Sequence, residues 1–361
     1  MTATSSAQCD DNARRFALVR ERFARARDGC LSGELDFRFA AQAVQLRVAG
    51  RALLKATQAP FAHLRTDERG TAPTLAVDLW DVAESGVEAP PADLAQPAGP
   101  RWDLGDSLLA LSEDARFVCH AVRRSVVWLD RHDCRIAGWF ADGRDLSLHQ
   151  RGKPLQMLLA VWARDRGLHA VHAALVGRGQ RGVLLPGRSG SGKTTAALAA
   201  LQDGYTYIGD DWIALGRAAD GAHVGHGLYG SACLESRHAG RFVHLHPQVV
   251  ESTSAPERKS LLLLSRTMPE RLAHSIPLCA VALPRVVDRN DTRVFPASRR
   301  EALLTIVPST IFTMSPRGGR RDTERLFELA EQLPAYRLEI GRDLQQVPRC
   351  IDEILRDVAA S

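Results

Sequence analysis

The stretch RGVLLPGRSGSGKTTAALAALQD, residues 181–203, contains the pattern that decides the fold. Its segment GVLLP is apolar and typical of a buried strand, whereas TTAALAALQ is rich in alanine and leucine and typical of a helix. Between them, GRSGSGKT runs from Gly187 to Thr194 and matches the phosphate-loop pattern G-x-x-x-x-G-K-[ST]. A strand, a glycine-rich turn and a helix in this order predict an α/β domain with a P-loop.

Each residue type in this loop has a physical reason. Glycines let the backbone turn its N–H groups toward one anion, and the helix that follows adds the positive end of its dipole. The lysine would reach the β- and γ-phosphates of ATP, and the first threonine hydroxyl would ligate Mg²⁺. The residues predicted to bind the nucleotide are Gly187, Ser189, Gly190, Ser191, Gly192, Lys193, Thr194 and Thr195. The alternative is a strand-to-helix turn that binds no ligand.

A pair of acidic residues follows the loop closely. Asp210 and Asp211 end the strand-like run YTYIG, and Asp210 lies 23 positions after Gly187. In ATP-binding-cassette proteins and in most motors and GTPases, the second acidic motif lies much further along the chain. A strand-end carboxylate beside a phosphate loop is well placed to hold Mg²⁺, and a second one can accept a hydroxyl proton during nucleophilic attack. An Asp-Asp turn between two hairpin strands is the other interpretation.

The residues before the loop predict a β-hairpin made of HAVHAALV, a turn at GRGQRG, and GVLLP. His172 lies 15 positions before Gly187, and the hairpin would carry it back beside the phosphate site. A single histidine on an apolar strand is more often structural, so both interpretations of His172 stay open here.

Together these segments resemble the HPr kinase/phosphorylase family. The resemblance is carried by His172-Ala-Ala-Leu-Val, GVLLPGRSGSGKTT and GYTYIGDD, and it covers roughly residues 169–236. It implies a P-loop hairpin core related to phosphoenolpyruvate carboxykinase. It also implies Mg-ATP-dependent phosphorylation of a serine hydroxyl.

The resemblance implies a role for each matching residue. Lys193 and Thr194 would bind phosphate and metal, and Asp210 would add to the metal site. Asp211 would be the catalytic base, assisted by His172, and which aspartate has which role stays open. Glu235, in SACLESRHAG, matches a further acidic residue that the family places after the pair, and it is the third predicted metal ligand.

Two departures from HPr kinases point to a divergent member. The loop continues Lys-Thr-Thr rather than Lys-Ser-Glu, and the glycine-rich signature after the acidic residue is absent. The chain is similar in this to bacterial HPr-kinase-like proteins such as the kinases that tailor lasso-peptide precursors. The implied acceptor is a serine- or threonine-type hydroxyl on a peptide, protein or small molecule, ribosomally made precursor peptides included.

The flanking sequence predicts two domains. Residues 1–150 contain a helical pattern over 13–29, alternating strands and a β-meander, typical of a small α+β domain whose role does not follow from the sequence. Residues 151–361 form the P-loop domain. Later elements of that domain are a buried strand over 276–286, a strand over 335–341, and helices over 297–307, 323–333 and 343–358.

Composition excludes several classes of protein. The 361 residues carry 47 basic and 42 acidic side chains, a net charge of +5, which predicts no nucleic-acid partner. Apolar runs fall short of the ~18–20 residues that span a bilayer, and the N-terminus lacks a secretory signal pattern. Seven scattered cysteines show no disulfide or zinc pattern, so we expect a cytoplasmic protein without a membrane partner.

These residues leave three functions to consider for the protein. The first is an ATP- and Mg²⁺-dependent kinase, with ATP and a hydroxyl-bearing acceptor as partners and its oligomeric state left open. The second is an ATP-binding regulator without an acceptor. The third is a transport-type ATPase, which the absence of an LSGGQ-like signature disfavours. Two basic segments are either solvated loops or contacts to ATP phosphates or an acidic substrate: one contains Arg317, Arg320 and Arg321, the other Arg258 and Lys259.

Overall fold

A computed structural model describes residues 3–67, 72–91, 99–104, 107–242, 245, 249–251, 259–314 and 320–360. Contacts within the chain divide it into two units, Met1–Trp162 and Ala163–Ser361. The domain boundary placed after residue 150 from the sequence stays a prediction. Within the ranges above, none of the helices offers the uninterrupted apolar length that a bilayer crossing requires.

The first unit combines one sheet with helices. Its helices are α1 (Ala3–Gly29), α2 (Arg51–Gln58), α3 (Val82–Ser85), α4 (Leu148–Gly152) and α5 (Gln156–Arg164), the last of which runs past the boundary. Its strands are β1 (Ser32–Phe39), β2 (Gln42–Ala49), β3 (Leu75–Asp81), β4 (Arg101–Asp103), β5 (Ser107–Leu111), β6 (Phe117–Val122), β7 (Ser125–Asp130) and β8 (Arg135–Phe140). In the described residues they form a single sheet in the order β1-β2-β3-β8-β7-β6-β5-β4. Consecutive antiparallel pairing of β5 to β8 confirms the predicted meander.

Helix α1 covers one face of this sheet. Phe16, Val19, Phe23 and Ala26 are spaced three or four residues apart, so they share one side of the helix, and all four are buried. They pack in one cluster with sheet residues such as Trp128, whose ring centroid lies 6.4 Å from that of Phe16. The helical spacing of these four apolar residues therefore corresponds to the side of α1 that packs on the sheet.

The second unit is a mixed α/β structure. Its strands are β9 (His169–Val171), β10 (Ala173–Arg178), β11 (Arg181–Pro186), β12 (Thr206–Gly209), β13 (Ile213–Arg217), β14 (His223–Gly227), β15 (Ala232–Glu235), β16 (Val249–Glu251), β17 (Lys259–Leu262), β18 (Ser275–Val286), β19 (Arg293–Ala297) and β20 (Ala335–Ile340). Its helices are α6 (Lys193–Gln202), α7 (Ser236–Ala239), α8 (Leu264–Thr267), α9 (Arg299–Met314), α10 (Arg320–Gln332) and α11 (Gln346–Ala360). The α/β class predicted from the sequence is confirmed.

The main sheet of this unit is ordered β12-β10-β11-β18-β14-β13-β9, with β20 pairing both β18 and β19. Strand β18 is its centre, because it pairs in parallel with β11 and β20 and antiparallel with β14. Its Ala280 and Ala282 pack in the cluster that contains α6 and α11, whereas Val281 and Leu283 pack in the cluster that contains α9 and α10. Burial on both faces explains the continuous apolar run in the sequence.

The predicted hairpin before the glycine-rich loop is confirmed. Strands β10 and β11 pair from Ala173 with Pro186 to Arg178 with Arg181, across a two-residue turn in which Gly179 has φ +62°. Strand β12 pairs antiparallel with the other side of β10. Because β10 is antiparallel to both neighbours, β11 and β12 run in the same direction and end at the same edge of the sheet.

Strand β14 is not predicted by the sequence, because its residues HVGHG include few that favour strands. Its glycines serve close packing rather than flexibility. A Cβ atom on Gly227 would lie 1.7 Å from the carbonyl oxygen of Ile208, the next-to-last residue of β12. Strand β14 therefore approaches the backbone of β12 more closely than any side chain would allow.

Replacing Gly227 with alanine tests this packing. The added methyl group meets backbone rather than a flexible side chain, so we expect Gly227→Ala to lower the free energy of unfolding by about 3 kcal/mol or more. Gly240→Ala is the matched control, because Gly240 has φ −60° and no heavy atom within 4 Å of an added Cβ. We expect it to change that free energy by about 0.5 kcal/mol or less. Urea unfolding followed by circular dichroism measures both, and equal effects would contradict the packing described.

Candidate active site

The glycine-rich loop comprises residues 187–192, between the end of β11 and the start of α6. Gly190 and Gly192 have φ values of +79° and +100°, which side-chain-bearing residues rarely adopt. A Cβ atom on Gly192 would also lie 2.8 Å from Cδ1 of Ile340, at the end of β20. The backbone of the loop thus requires glycine at these positions, and it turns the start of α6 toward the edge where β11 ends.

Lys193 is the first residue of α6 and is only 4% exposed. Its Nζ donates hydrogen bonds to the carbonyl oxygens of Gly187, at 2.8 Å, and Arg188, at 3.1 Å. Both of these acceptors are neutral carbonyl groups. A phosphate oxygen would make a stronger, charge-assisted hydrogen bond with the same group.

Thr194 and Asp210 join α6 to the end of β12. The Thr194 hydroxyl donates a 2.7 Å hydrogen bond to Oδ2 of Asp210, whose side chain is 1% exposed. Because the hydroxyl proton points at the carboxylate, the lone pairs of Thr194 Oγ1 remain available as acceptors or ligands. Two oxygen donors are therefore held together at the N-terminus of α6.

His172 and Asp211 form a second pair. Nε2 of His172 lies 3.5 Å from Oδ1 of Asp211, and the histidine side chain is 9% exposed while the aspartate side chain is 33% exposed. His172 precedes β10, so the hairpin register places it opposite Gly187, whose N–H donates a 3.4 Å hydrogen bond to the His172 carbonyl. The N–H of His172 donates to Oγ1 of Thr310 in α9, at 3.3 Å.

These contacts connect the loop, His172 and both aspartates into one site. Asp211 has φ +60°, a left-handed conformation that aspartate tolerates. The two consecutive carboxylates have different partners, Thr194 for Asp210 and His172 for Asp211. Strands β12 and β13, on either side of the pair, do not pair with each other in the described residues. The Asp-Asp pair is therefore not the turn of a hairpin.

Buried aromatic residues surround the acidic pair. Tyr207 donates a 2.9 Å hydrogen bond to the carbonyl of Ser231, and burial raises the pKa of Tyr207 well above its ordinary value, with Asp210 and Asp211 adding to the rise. Tyr207 thus stays uncharged. Trp212 is buried edge-on against Tyr229. Sequence reasoning missed this support, although aromatic residues flank the acidic pair in YTYIGDDW.

The other predicted site residues lie in different surroundings. Ser189 and Gly190 are exposed in the loop, and Ser191 and Thr195 are half-buried. Glu235 is exposed at the end of β15, in a separate three-stranded sheet, opposite Lys259 of β17. In the described ranges no three His, Cys, Asp or Glu side chains are grouped so that they could hold a metal ion. Arg317 and Arg258 lie outside the described residues, and Arg321 is exposed near the start of α10.

Comparisons with known proteins give distant similarity to solved structures only. No protein-family model matches the chain, and no curated protein matches it. The structure of the HPr(Ser) kinase/phosphatase from Coxiella burnetii is similar at 12% sequence identity and a TM-score of 0.32, covering 53% of this chain and 91% of that chain. A similarity of this extent fixes neither a family nor a reaction.

Removing the Thr194 hydroxyl tests the bond to Asp210. Thr194→Val keeps the shape but leaves a buried carboxylate one hydrogen bond short, so the free energy of unfolding should fall by about 1–3 kcal/mol. Thr195→Val is the control, since the described part of the chain shows no side-chain hydrogen bond for Thr195. Chemical unfolding without Mg²⁺ or nucleotide measures both variants, which removes any contribution from bound ligand. Equal losses would show that the hydroxyl bond does not stabilise the site.

Proposed function

We propose that the chain is a Mg-ATP-dependent kinase that transfers the γ-phosphate of ATP to a serine- or threonine-type hydroxyl. The observation that carries the proposal is the meeting of three groups at the edge where β11 and β12 end. These groups are the glycine-rich loop with Lys193, the Thr194–Asp210 pair and the His172–Asp211 pair. We propose that the second unit is a P-loop kinase domain of the type that the sequence resembles.

The nucleotide phosphates would bind at the glycine-rich loop. Backbone N–H groups of the loop and the N-terminus of α6 favour an anion there, and Lys193 is already held at the same place by carbonyl oxygens. On binding, the Lys193 ammonium would exchange these neutral acceptors for charged phosphate oxygens. The exchange raises the affinity for ATP without requiring a new fold around the loop.

The residues present fit Mg²⁺. Thr194 and Asp210 offer hard oxygen donors, and Mg²⁺ commonly takes only one or two protein ligands beside water and substrate phosphates. Thr194 Oγ1 would be the direct ligand, and Asp210 would hold its orientation through the 2.7 Å hydrogen bond. Bound Mg²⁺ would neutralise charge on the phosphate oxygens. Glu235 stays a predicted third ligand.

Asp211 is the better candidate for the base, because its side chain is 33% exposed whereas that of Asp210 is 1% exposed and bonded to Thr194. As the acceptor oxygen bonds to the γ-phosphorus, the bond from phosphorus to the ADP oxygen breaks, and the acceptor proton passes to the Asp211 carboxylate. His172, 3.5 Å from that carboxylate and held by backbone bonds to Gly187 and Thr310, would position it.

Lys193→Ala tests the nucleotide site. Losing a charge-assisted contact to phosphate should weaken ATP binding by about 10- to 100-fold in calorimetric titration. Lys55→Ala, on the exposed face of α2, is the control and should bind ATP like the wild type. ATP titrated in EDTA should bind more weakly than in excess Mg²⁺. A Lys193→Ala protein with wild-type affinity would remove the basis of the phosphate site.

Asp211→Asn tests the kinase reaction. The variant keeps the shape of the side chain but not its basicity, so kcat should fall by about 10²–10⁴ while ATP affinity changes little. Asp210→Asn should lower both, because it disturbs the oxygen pair with Thr194. Asp220→Asn, at an exposed turn, is the control. The assay follows label from [γ-³²P]ATP into pooled serine- and threonine-containing peptides and small hydroxy compounds.

The outcomes separate the proposed functions. Transfer of label to a hydroxyl, lost in Asp211→Asn and kept in Asp220→Asn, supports the kinase. Tight Mg-ATP binding with no transfer to any acceptor would instead favour an ATP-binding regulator. Equal, modest losses for the Asp210 and Asp211 variants would show that the acidic pair is structural.

A further inference from the structure

The last residues of β18 lie next to both ends of the glycine-rich loop. Its parallel register with β11 pairs Leu184 with Val281, and the two strands stay adjacent to the start of the loop. A Cβ atom on Gly187 would lie 4.0 Å from Cγ of Pro284, and one on Gly192 would lie 3.1 Å from Cγ2 of Val286. Arg285 lies between these two contacts, and it is exposed at the edge of the loop.

Arg188 lies inside the loop and Arg285 lies beside it, and the guanidinium groups of both have no described partner. Both are exposed, and in the part of the chain that the structure describes no hydrogen bond or ion pair engages either guanidinium. Three nearby arginines on the segments after β18 and β20 differ, because each pairs with a carboxylate: Arg289 with Glu339, Arg293 with Asp291, and Arg342 with Asp288.

The one carboxylate opposite Arg285 is already used. Glu339 of β20 is its partner in the strand register, but the Glu339 side chain pairs with Arg289. Within the described residues, the Arg285 guanidinium therefore has no carboxylate partner. An arginine in this state is well suited to bind a carboxylate or phosphate group, in two parallel hydrogen bonds.

The direction of the strand favours one source for this anion. Successive side chains of a strand point to opposite faces, and Val286 reaches toward the start of α6. Arg285 therefore belongs to the opposite face, the one covered by α9 and α10. Arg285 is thus on the face of β18 that points away from α6, the helix whose N-terminus would bind the nucleotide phosphates.

We infer that Arg188 and Arg285 form a cationic rim that binds an anionic group of the phosphate acceptor, so that the acceptor is an acidic molecule with a hydroxyl close to a carboxylate or phosphate. This inference rests on the proposed kinase function. The nucleotide's own phosphates offer the same chemistry, and the experiment distinguishes the two sources.

The test uses sulfate as the probe and the full-length protein saturated with Mg²⁺ and the non-hydrolysable analogue AMP-PNP. Wild-type protein should bind sulfate saturably in calorimetric titration. Arg188→Gln and Arg285→Gln should each weaken sulfate binding about tenfold, and Arg285→Gln should change AMP-PNP affinity less than twofold. Arg356→Gln is the control, because Arg356 is exposed on α11 beside Leu355, which Arg181 contacts at the opposite end of β11 from the loop.

Each other result overturns a stated part of the inference. Loss of AMP-PNP affinity in Arg285→Gln would assign this arginine to the nucleotide phosphates instead of the acceptor. The cationic rim would be overturned if Arg188→Gln and Arg285→Gln bound sulfate as tightly as the control Arg356→Gln. It would also be overturned if the wild type showed no saturable sulfate binding. If wild-type protein does not bind AMP-PNP, the proposed function fails, and the same sulfate comparison without nucleotide still decides whether the two arginines bind an anion.

Discussion

The position of β10 between β11 and β12 is the constraint on which the candidate site depends. Each of its neighbours is antiparallel to it, so the two neighbours end at the same edge of the sheet. The two-residue turn at Gly179 joins β10 to β11, so the start of β10 lies beside the end of β11 at that edge. The glycine-rich loop, His172 and the Asp210–Asp211 pair meet because three strand ends meet. Three further elements contact these strand ends: α6 through Thr194, β18 through its pairing with β11, and α9 through Thr310.

Buried charge gives the site its chemical character. Lys193 and Asp210 are almost completely removed from solvent, and burying such groups is costly unless hydrogen bonds compensate. Two hydrogen bonds from the lysine to carbonyl oxygens and one from a hydroxyl to the aspartate are part of this compensation.

The sequence predicts the local parts of this site because local chemistry decides them. The run 181–203 specifies strand, loop and helix through apolar residues, glycines and alanines within a short window, and the hairpin follows from the residues just before it. The sequence does not show that β12 pairs with β10 rather than β11, nor that β14 joins β18, since these pairings link distant segments. It also predicts Glu235 as a metal ligand with Asp210, and this role stays a prediction for a residue that lies at the end of β15 in the three-stranded sheet. Arg285 was missed because only the register of β18 brings it to the loop.

The pairing of β11 with β18 also has a consequence for how the chain folds. The hairpin of β10 and β11 joins residues that are close in sequence, and such contacts form within microseconds. Strand β18 follows roughly 100 residues later, and parallel pairings across such separations form slowly because the long intervening chain must first be ordered. Until then β11 has an open, apolar edge that can pair with another chain. During synthesis, the loop, His172 and both aspartates therefore leave the ribosome well before β18, the strand that pairs with β11. We expect the nascent chain to be most prone to aggregation while β11 waits for β18.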